Sequence, residues 1–261
     1  MGSPPSRAIL SGVEKLPGGR GVLNSLSGQR GVFFSFDEAH SGARRTGLAG
    51  HEHPGLVLLH LDLARSLRQS DYAALFWITA IGRGEFKVFD FGGNGGNLFY
   101  SYSPYLEHLG TVRWTVYDLP PVVEQGRTIA QERKADRLRF TTSLSDFSGD
   151  QVLLVSGAFH YWERTVSEFV KQFPTEPEHV IINRTPVHKT SRAFFTVQRG
   201  PKWAVPCVVR NYAELVAEFH SLGYSLIDSW DVLELQLKVP LFQDRCVPHY
   251  SGFYFRRQRV E

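Results

Sequence analysis

The sequence predicts an α/β fold: a seven-stranded, mostly parallel sheet with helices on both faces, preceded by N-terminal helices. From residue 86 onward, short β-rich runs alternate with helical segments, the pattern of a parallel sheet built from crossover units. A glycine-rich turn follows the first of these runs. The last two runs have no helix between them, which predicts an antiparallel pair at one edge of the sheet.

The elements follow in chain order. Residues 1–30 are rich in Gly, Ser and Pro and read as a partly ordered arm. Gly31-Val32-Phe33-Phe34-Ser35-Phe36 is a short extended piece leading through a Ser or Asp cap into a helix. Leu56, Leu59, Leu63 and Leu67, then Leu75, Ile78 and Ile81, recur at helical spacing and predict two helices broken near Gln69-Ser70-Asp71. Strands are predicted over 86–91, 112–117, 138–141, 151–156 and 180–183, and then over 225–231 and 252–257. Helices are predicted over 97–109, 121–133, 163–173 and 211–222. The organisation is therefore an N-terminal arm and helical cap, 1–85, and a ligand-binding domain, 86–261. An apolar and basic insertion at 192–210 reads as a lid, because a long loop beside a site often closes over it.

Composition narrows the class. Of 261 residues, 42% are hydrophobic and 13% aromatic, which excludes a disordered chain, and the net charge of +3 is too small for a nucleic-acid-binding surface. The cluster Arg256-Arg257-Gln258-Arg259 reads as a solvated tail. Two cysteines, Cys207 and Cys246, make neither a disulfide framework nor a metal pair. A reducing, cytoplasmic setting is expected, with no membrane span, no signal peptide and no metal. Met1-Gly2-Ser3 reads as an added leader rather than a lipidation signal.

The strongest motif is Asp90-Phe91-Gly92-Gly93-Asn94-Gly95-Gly96-Asn97, between a buried strand and a helix. Glycines there let the backbone turn sharply and approach a ligand closely. A carboxylate at Asp90 would repel a pyrophosphate but pair with an ammonium, which fits a ligand with an amino-acid end. Asp118, with Leu119 beside it, ends the next strand 22 residues after Gly96. An acid at that distance accepts hydrogen bonds from ribose hydroxyls, and it also suits a helix cap ahead of Pro120-Pro121. Thr142 and Ser143 follow the third strand and could meet an adenine edge or cap a turn. Ser156-Gly157-Ala158-Phe159-His160-Tyr161-Trp162 follows the fourth, where ligands of open α/β sheets lie. Asn183-Arg184-Thr185-Pro186-Val187-His188 follows the fifth. Arg184 could fork onto a carboxylate or form a structural ion pair, and His188 reads as an exposed loop residue.

Over about residues 86–260 the chain resembles class I S-adenosylmethionine-dependent methyltransferases, on the strength of the glycine loop, Asp118 and the Ser156-Gly157 turn. Asn94 stands where that family carries its middle glycine. The resemblance implies a Rossmann-like class I methyltransferase fold. It also implies that Asp90, Gly92, Gly93, Asn94 and Gly96 hold the methionine end, Asp118 and Leu119 the ribose, and Thr142 and Ser143 the adenine, with Ser156, Gly157 and Phe159 lining the site. Gly31–Ala39, the Asp90 loop, Ser156–Tyr161 and Asn183–Pro186 carry a closer resemblance to a small bacterial group. Some members of that group cyclise S-adenosylmethionine to azetidine-2-carboxylate and release methylthioadenosine in specialised metabolism.

That resemblance makes cyclisation the first expected activity, with Tyr161, Asn183, Arg184 and Trp203 as candidate catalytic residues and no acceptor. The aromatics would face the sulfonium, each such contact worth ~0.5–2 kcal/mol. Methyl transfer to a small-molecule acceptor is the alternative, and a non-catalytic S-adenosylmethionine-binding protein is the third reading. The partner expected in each case is a small molecule, with neither nucleic acid nor membrane.

Overall fold

Near-continuous buried runs set the central strands, over 88–90, 152–155 and 180–185, as in parallel strands covered on both faces, while 112–117 alternates. The computed structural model describes residues 28–50, 66–82, 84, 86–149, 151–200 and 203–258. Of the expected arm over 1–30, residues 1–27 fall outside these residues and 28–30 begin a strand; 51–65, which hold most of the first Leu-rich segment, also fall outside.

Seven strands form the main sheet: β2 (Phe86–Phe91), β3 (Val112–Tyr117), β4 (Leu138–Thr141), β5 (Gln151–Ser156), β6 (His179–Thr185), β10 (Tyr224–Val232) and β11 (Tyr250–Arg257). Their order is β10-β11-β6-β5-β2-β3-β4. The five strands from β6 to β4 are parallel. The last two form the expected antiparallel pair at one edge, with the final strand inserted between β6 and β10. This is the Rossmann-like fold of class I methyltransferases. The connections reverse direction between β2 and β5, and their carboxyl ends form the crevice where such sheets take ligands.

Helices cover both faces. On one lie α2 (Gln69–Ile81), α3 (Asn97–Leu106) and α4 (Pro120–Glu132), burying Ala74, Ile78, Leu98, Tyr102 and Val123 against Val88, Trp114, Val116 and Leu154. On the other lie α5 (Val166–Lys171) and α6 (Tyr212–Ser221), which bury Phe169, Val170, Leu215 and Phe219 against Leu153, Val180, Ile182 and Phe253. Each buried Phe or Leu of this kind contributes roughly 1.5–3 kcal/mol of transfer free energy. Helix α2 begins at Gln69, so the predicted break at 69–71 is its start: Asp71 accepts from the Arg68 N–H at 2.8 Å.

The chain around residues 192–210 corrects the expectation of a loop. It is a hairpin, β8 (Phe194–Arg199) and β9 (Ala204–Asn211), in a second sheet of order β1-β8-β9-β7 with β1 (Gly28–Phe33) and β7 (Val187–His188). Pro206 disguises β9, since proline cannot donate to a ladder. It is tolerated because β7 pairs with β9 only at Arg210 and Asn211, which leaves Pro206 with β8 as its one neighbour in the sheet. The N-terminal region thus supplies a strand as well as helices. Helix α1 (Phe36–Arg44) is capped by Ser35 and packs Ala39 and Ala43 on Val197 and Ala204 of the hairpin.

Candidate active site

Strand β2 carries Asp90 into the protein at its carboxyl end, where the side chain is 1% exposed. Its Oδ2 accepts the Trp114 indole N–H at 3.1 Å, while Oδ1 is buried without a hydrogen-bond partner. Burial disfavours the charged form and pushes the carboxyl up to about 7. Trp114 and Arg184 pull it down, and Asp118 adds to the rise. A buried acceptor without a donor is costly, and a ligand N–H at Oδ1 would complete it.

The glycine turn is built around this carboxylate. A Cβ at Gly93 would sit 2.4 Å from Asp90 Oδ2, so only glycine lets the backbone pass. Gly92 and Gly96 have φ of 71° and 82°. Asn94 is left-handed too, at φ 54°, a conformation Asn tolerates better than other non-glycine residues. That is how the turn closes without a glycine at this position. Asn94 Oδ1 accepts from the Gly95 N–H at 2.8 Å, and the Asn94 N–H donates to Asp118 Oδ2 at 2.9 Å. Asp118 Oδ1 accepts from the Leu119 N–H at 2.7 Å, but Leu119 is the N-cap of α4 and the helix has no side-chain cap, so this acid anchors the glycine loop and does not cap the helix. Burial raises the Asp118 pKa, and these two N–H groups oppose the rise. Leu119 is 43% exposed, at the rim. Thr142 and Ser143 are exposed beyond β4, and Ser143 caps a turn through the Ser145 N–H at 3.2 Å.

Several expected site residues are placed differently. Phe159 is fully buried: its ring packs edge-on to Phe169, with the Arg210 guanidinium 4.8 Å from its centroid. It belongs to the core and corrects the expectation that it lines the site. The Arg184 guanidinium is engaged by Asp71 Oδ1 at 2.8 Å and Ser156 Oγ at 3.1 Å, which favours the structural ion pair over a carboxylate fork. Gly157, at φ 75°, turns the chain and donates to the Asn183 carbonyl at 2.8 Å. Asn183 is fully buried; its Oδ1 accepts from Trp230 Nε1 at 3.0 Å, and its Nδ2 has no hydrogen-bond partner. Tyr161 donates to Gln198 Oε1 at 2.6 Å, tying the turn after β5 to the hairpin. Trp203, just before β9, bridges to Ala49, its indole against Gly200. His188 accepts from the Ser191 N–H at 2.8 Å and shapes its own turn.

Three residues around the crevice carried no sequence signal. Asp71 meets Arg184 across 113 positions and also accepts from the Tyr102 hydroxyl at 3.0 Å. Trp114 looked like a core strand residue. Arg210 donates to the Trp162 and Arg164 carbonyls at 2.7 and 2.6 Å, fixing the aromatic turn. Burial lowers the Arg210 pKa to about 10. Among the described residues no cluster of three or more His, Cys, Asp or Glu could hold a metal ion, and no helix is long and apolar enough to cross a membrane.

No family model matches the chain, and no curated protein matches it. Solved structures similar to it include S-adenosylmethionine-dependent methyltransferases. One is the Burkholderia thailandensis 1,6-didemethyltoxoflavin N1-methyltransferase with 1,6-didemethyltoxoflavin and S-adenosylhomocysteine bound. It is 14% identical, with 99% of this chain and 93% of that one covered and a TM-score of 0.46. A methyltransferase from Aquifex aeolicus is 11% identical, covering 78% and 97%, at 0.48. One from Geobacter sulfurreducens with S-adenosylhomocysteine is 13% identical, covering 70% and 90%, at 0.42.

Proposed function

We propose that this protein binds S-adenosylmethionine in the β2/β5 crevice and transfers its methyl group to a small-molecule acceptor. The observation that carries this reading is Asp90: a buried carboxylate with one oxygen open, under a glycine turn that a side chain at Gly93 would obstruct. The residues present fit the ligand. Asp90 Oδ1 would take the methionine ammonium, and the Gly92–Gly96 turn would admit its backbone-like end. Asp118 would exchange an N–H partner for ribose hydroxyls, and Thr142 and Ser143 would border the adenine. When bound, the sulfonium supplies an electrophilic methyl carbon. The protein supplies positioning, the effect that contributes most when a nucleophile must lie in line with that carbon.

Cyclisation to azetidine-2-carboxylate is the finer reading that the sequence resemblance raised. It differs in needing no acceptor. Mass spectrometry of purified protein with S-adenosylmethionine, with and without a small-molecule extract, separates the readings. S-adenosylhomocysteine formed only with the extract is the expected outcome. Methylthioadenosine with azetidine-2-carboxylate from S-adenosylmethionine alone would establish cyclisation instead. Binding without either product would leave a non-catalytic binder.

A further inference from the structure

Beside the antiparallel edge pair lies a cavity of about 350 Å³. That is the small end of ligand pockets, which run from roughly 300 to 1,000 Å³. Its floor is one face of β10 and β11. Ser229 and Asp231 are two apart on β10 and so share a face. Ser251 stands opposite Asp231 in the ladder, and Phe253 opposite Ser229. Tyr212 opens α6; its ring lies 5.4 Å from that of Phe253, and its hydroxyl donates to Ser229 Oγ at 3.2 Å. The helix therefore covers the Ser229–Phe253 pair, and the cavity opens over the next pair, Asp231 and Ser251. Lys189 also lines it. The turn that carries Lys189 is tied down twice. The Ser191 N–H donates to His188 Nδ1 at 2.8 Å, and Asn211 Nδ2 donates to the Ser191 carbonyl at 2.9 Å. Asn211 also caps α6 through the Glu214 N–H at 3.0 Å, so turn, helix start and sheet edge form one framework.

We propose that this cavity binds a small zwitterion of the amino-acid type, its carboxylate on Lys189 and its ammonium on Asp231. Three polar groups of the lining are open to such a ligand. Ser251 is 5% exposed, and among the described residues its hydroxyl has no hydrogen-bond partner. Lys189 has no counter-charge among the described residues. Asp231 has His249 Nδ1 at 3.2 Å from its Oδ1, which leaves Oδ2 open. The two charges decide the class. Lys189 and Asp231 face one cavity without pairing with each other. An anion alone would gain Lys189 and be repelled by Asp231, and a cation alone would meet the reverse. A zwitterion satisfies both. The start of α6 adds the positive end of a helix dipole, which also favours a carboxylate, and the Ser251 hydroxyl can donate to it. The cavity is separate from the crevice. Ser251 on β11 and Asp90 on β2 are three strands apart in the sheet order, about 14 Å at the usual strand spacing. The proposal therefore does not rest on methyl transfer.

The test is a set of ligand-observed NMR titrations with the common L-amino acids, one at a time, and with acetate and methylammonium as single-charge controls. Each is run on wild type, Lys189→Gln, Asp231→Asn and Asp90→Asn. At least one amino acid should bind wild type more tightly than either control. Lys189→Gln and Asp231→Asn should each weaken it about tenfold or more, the loss of one charged hydrogen bond. Both side chains are exposed, so these variants should fold. Asp90→Asn should leave the amino acid's affinity unchanged, because Asp90 belongs to the crevice. S-adenosylhomocysteine binding, measured on the same proteins, reports on the crevice alone, so either reading can fail while the other stands. No binding of any amino acid, equal binding of a control ion, or an affinity lost in Asp90→Asn and kept in Asp231→Asn would overturn the proposal.

Discussion

Two buried carboxylates stand near the same strand ends and are finished differently. Asp71, on α2, is saturated: Arg184 and the Tyr102 hydroxyl share one oxygen, and the Arg68 N–H takes the other. Asp90, on β2, has Trp114 on one oxygen and nothing on the other. A saturated ion pair holds an N-terminal helix to the strand ends. An open carboxylate waits for a donor from outside. Burial alone does not tell the two apart, at 3% and 1% exposure; the partners do.

The largest effect should separate them by stability. Asp71→Ala leaves the Arg184 guanidinium buried without its counter-charge and should destabilise the fold by about 3–5 kcal/mol, read as a lowered urea midpoint. Asp90→Asn removes an open charge and should leave the midpoint at pH 8 equal or higher. A loss from Asp90→Asn as large as that from Asp71→Ala would erase the distinction.

Next in size is a pH effect. The Asp90 pKa is raised from 3.8 to about 7 in the fold. The folded state therefore holds this proton where the unfolded chain has released it, and stability falls as pH rises from about 4 to about 7. The difference between wild type and Asp90→Asn should change by up to about 4 kcal/mol over that window, at 1.36 kcal/mol per pKa unit. Urea titrations of both proteins across the range check it, and a flat difference would count against a buried, open Asp90.

A smaller effect sharpens the contrast at the turn itself. Asn94→Gly should be nearly neutral in stability, because glycine accepts the left-handed backbone. Asn94→Ala should cost about 1 kcal/mol from strain, plus the loss of the acceptor for the Gly95 N–H. Equal thermal midpoints for the two variants would show that φ at this position carries no cost.

What the sequence made legible follows from local signals. The strands of the main sheet, the glycine turn and Asp118 announce themselves because periodicity, backbone freedom and strand-end acids act over a few residues. The Arg184–Asp71 pair does not, since nothing local marks a partner 113 positions away. Phe159 was misplaced because an aromatic after a strand end can face the crevice or the core, and only Phe169 and Arg210 decide which. The hairpin β8–β9 was hidden by Pro206, which is harmless only where a strand has one neighbour. Trp114 reads as core by its alternation and is core, yet its indole N–H is what orients Asp90.

The central claim is that Asp90 is the open end of a ligand site. Titration calorimetry with S-adenosylhomocysteine at pH 6 and pH 8, on wild type and Asp90→Asn, tests it directly. Wild type should bind roughly tenfold more tightly at pH 8, as the carboxyl passes from mostly protonated to mostly ionised. Asp90→Asn should bind about 10–100-fold more weakly at pH 8, the loss of one charge-assisted hydrogen bond of about 1.5–3 kcal/mol, and should show little change between the two pH values. No heat of binding in wild type, or equal affinity in the variant, would contradict it.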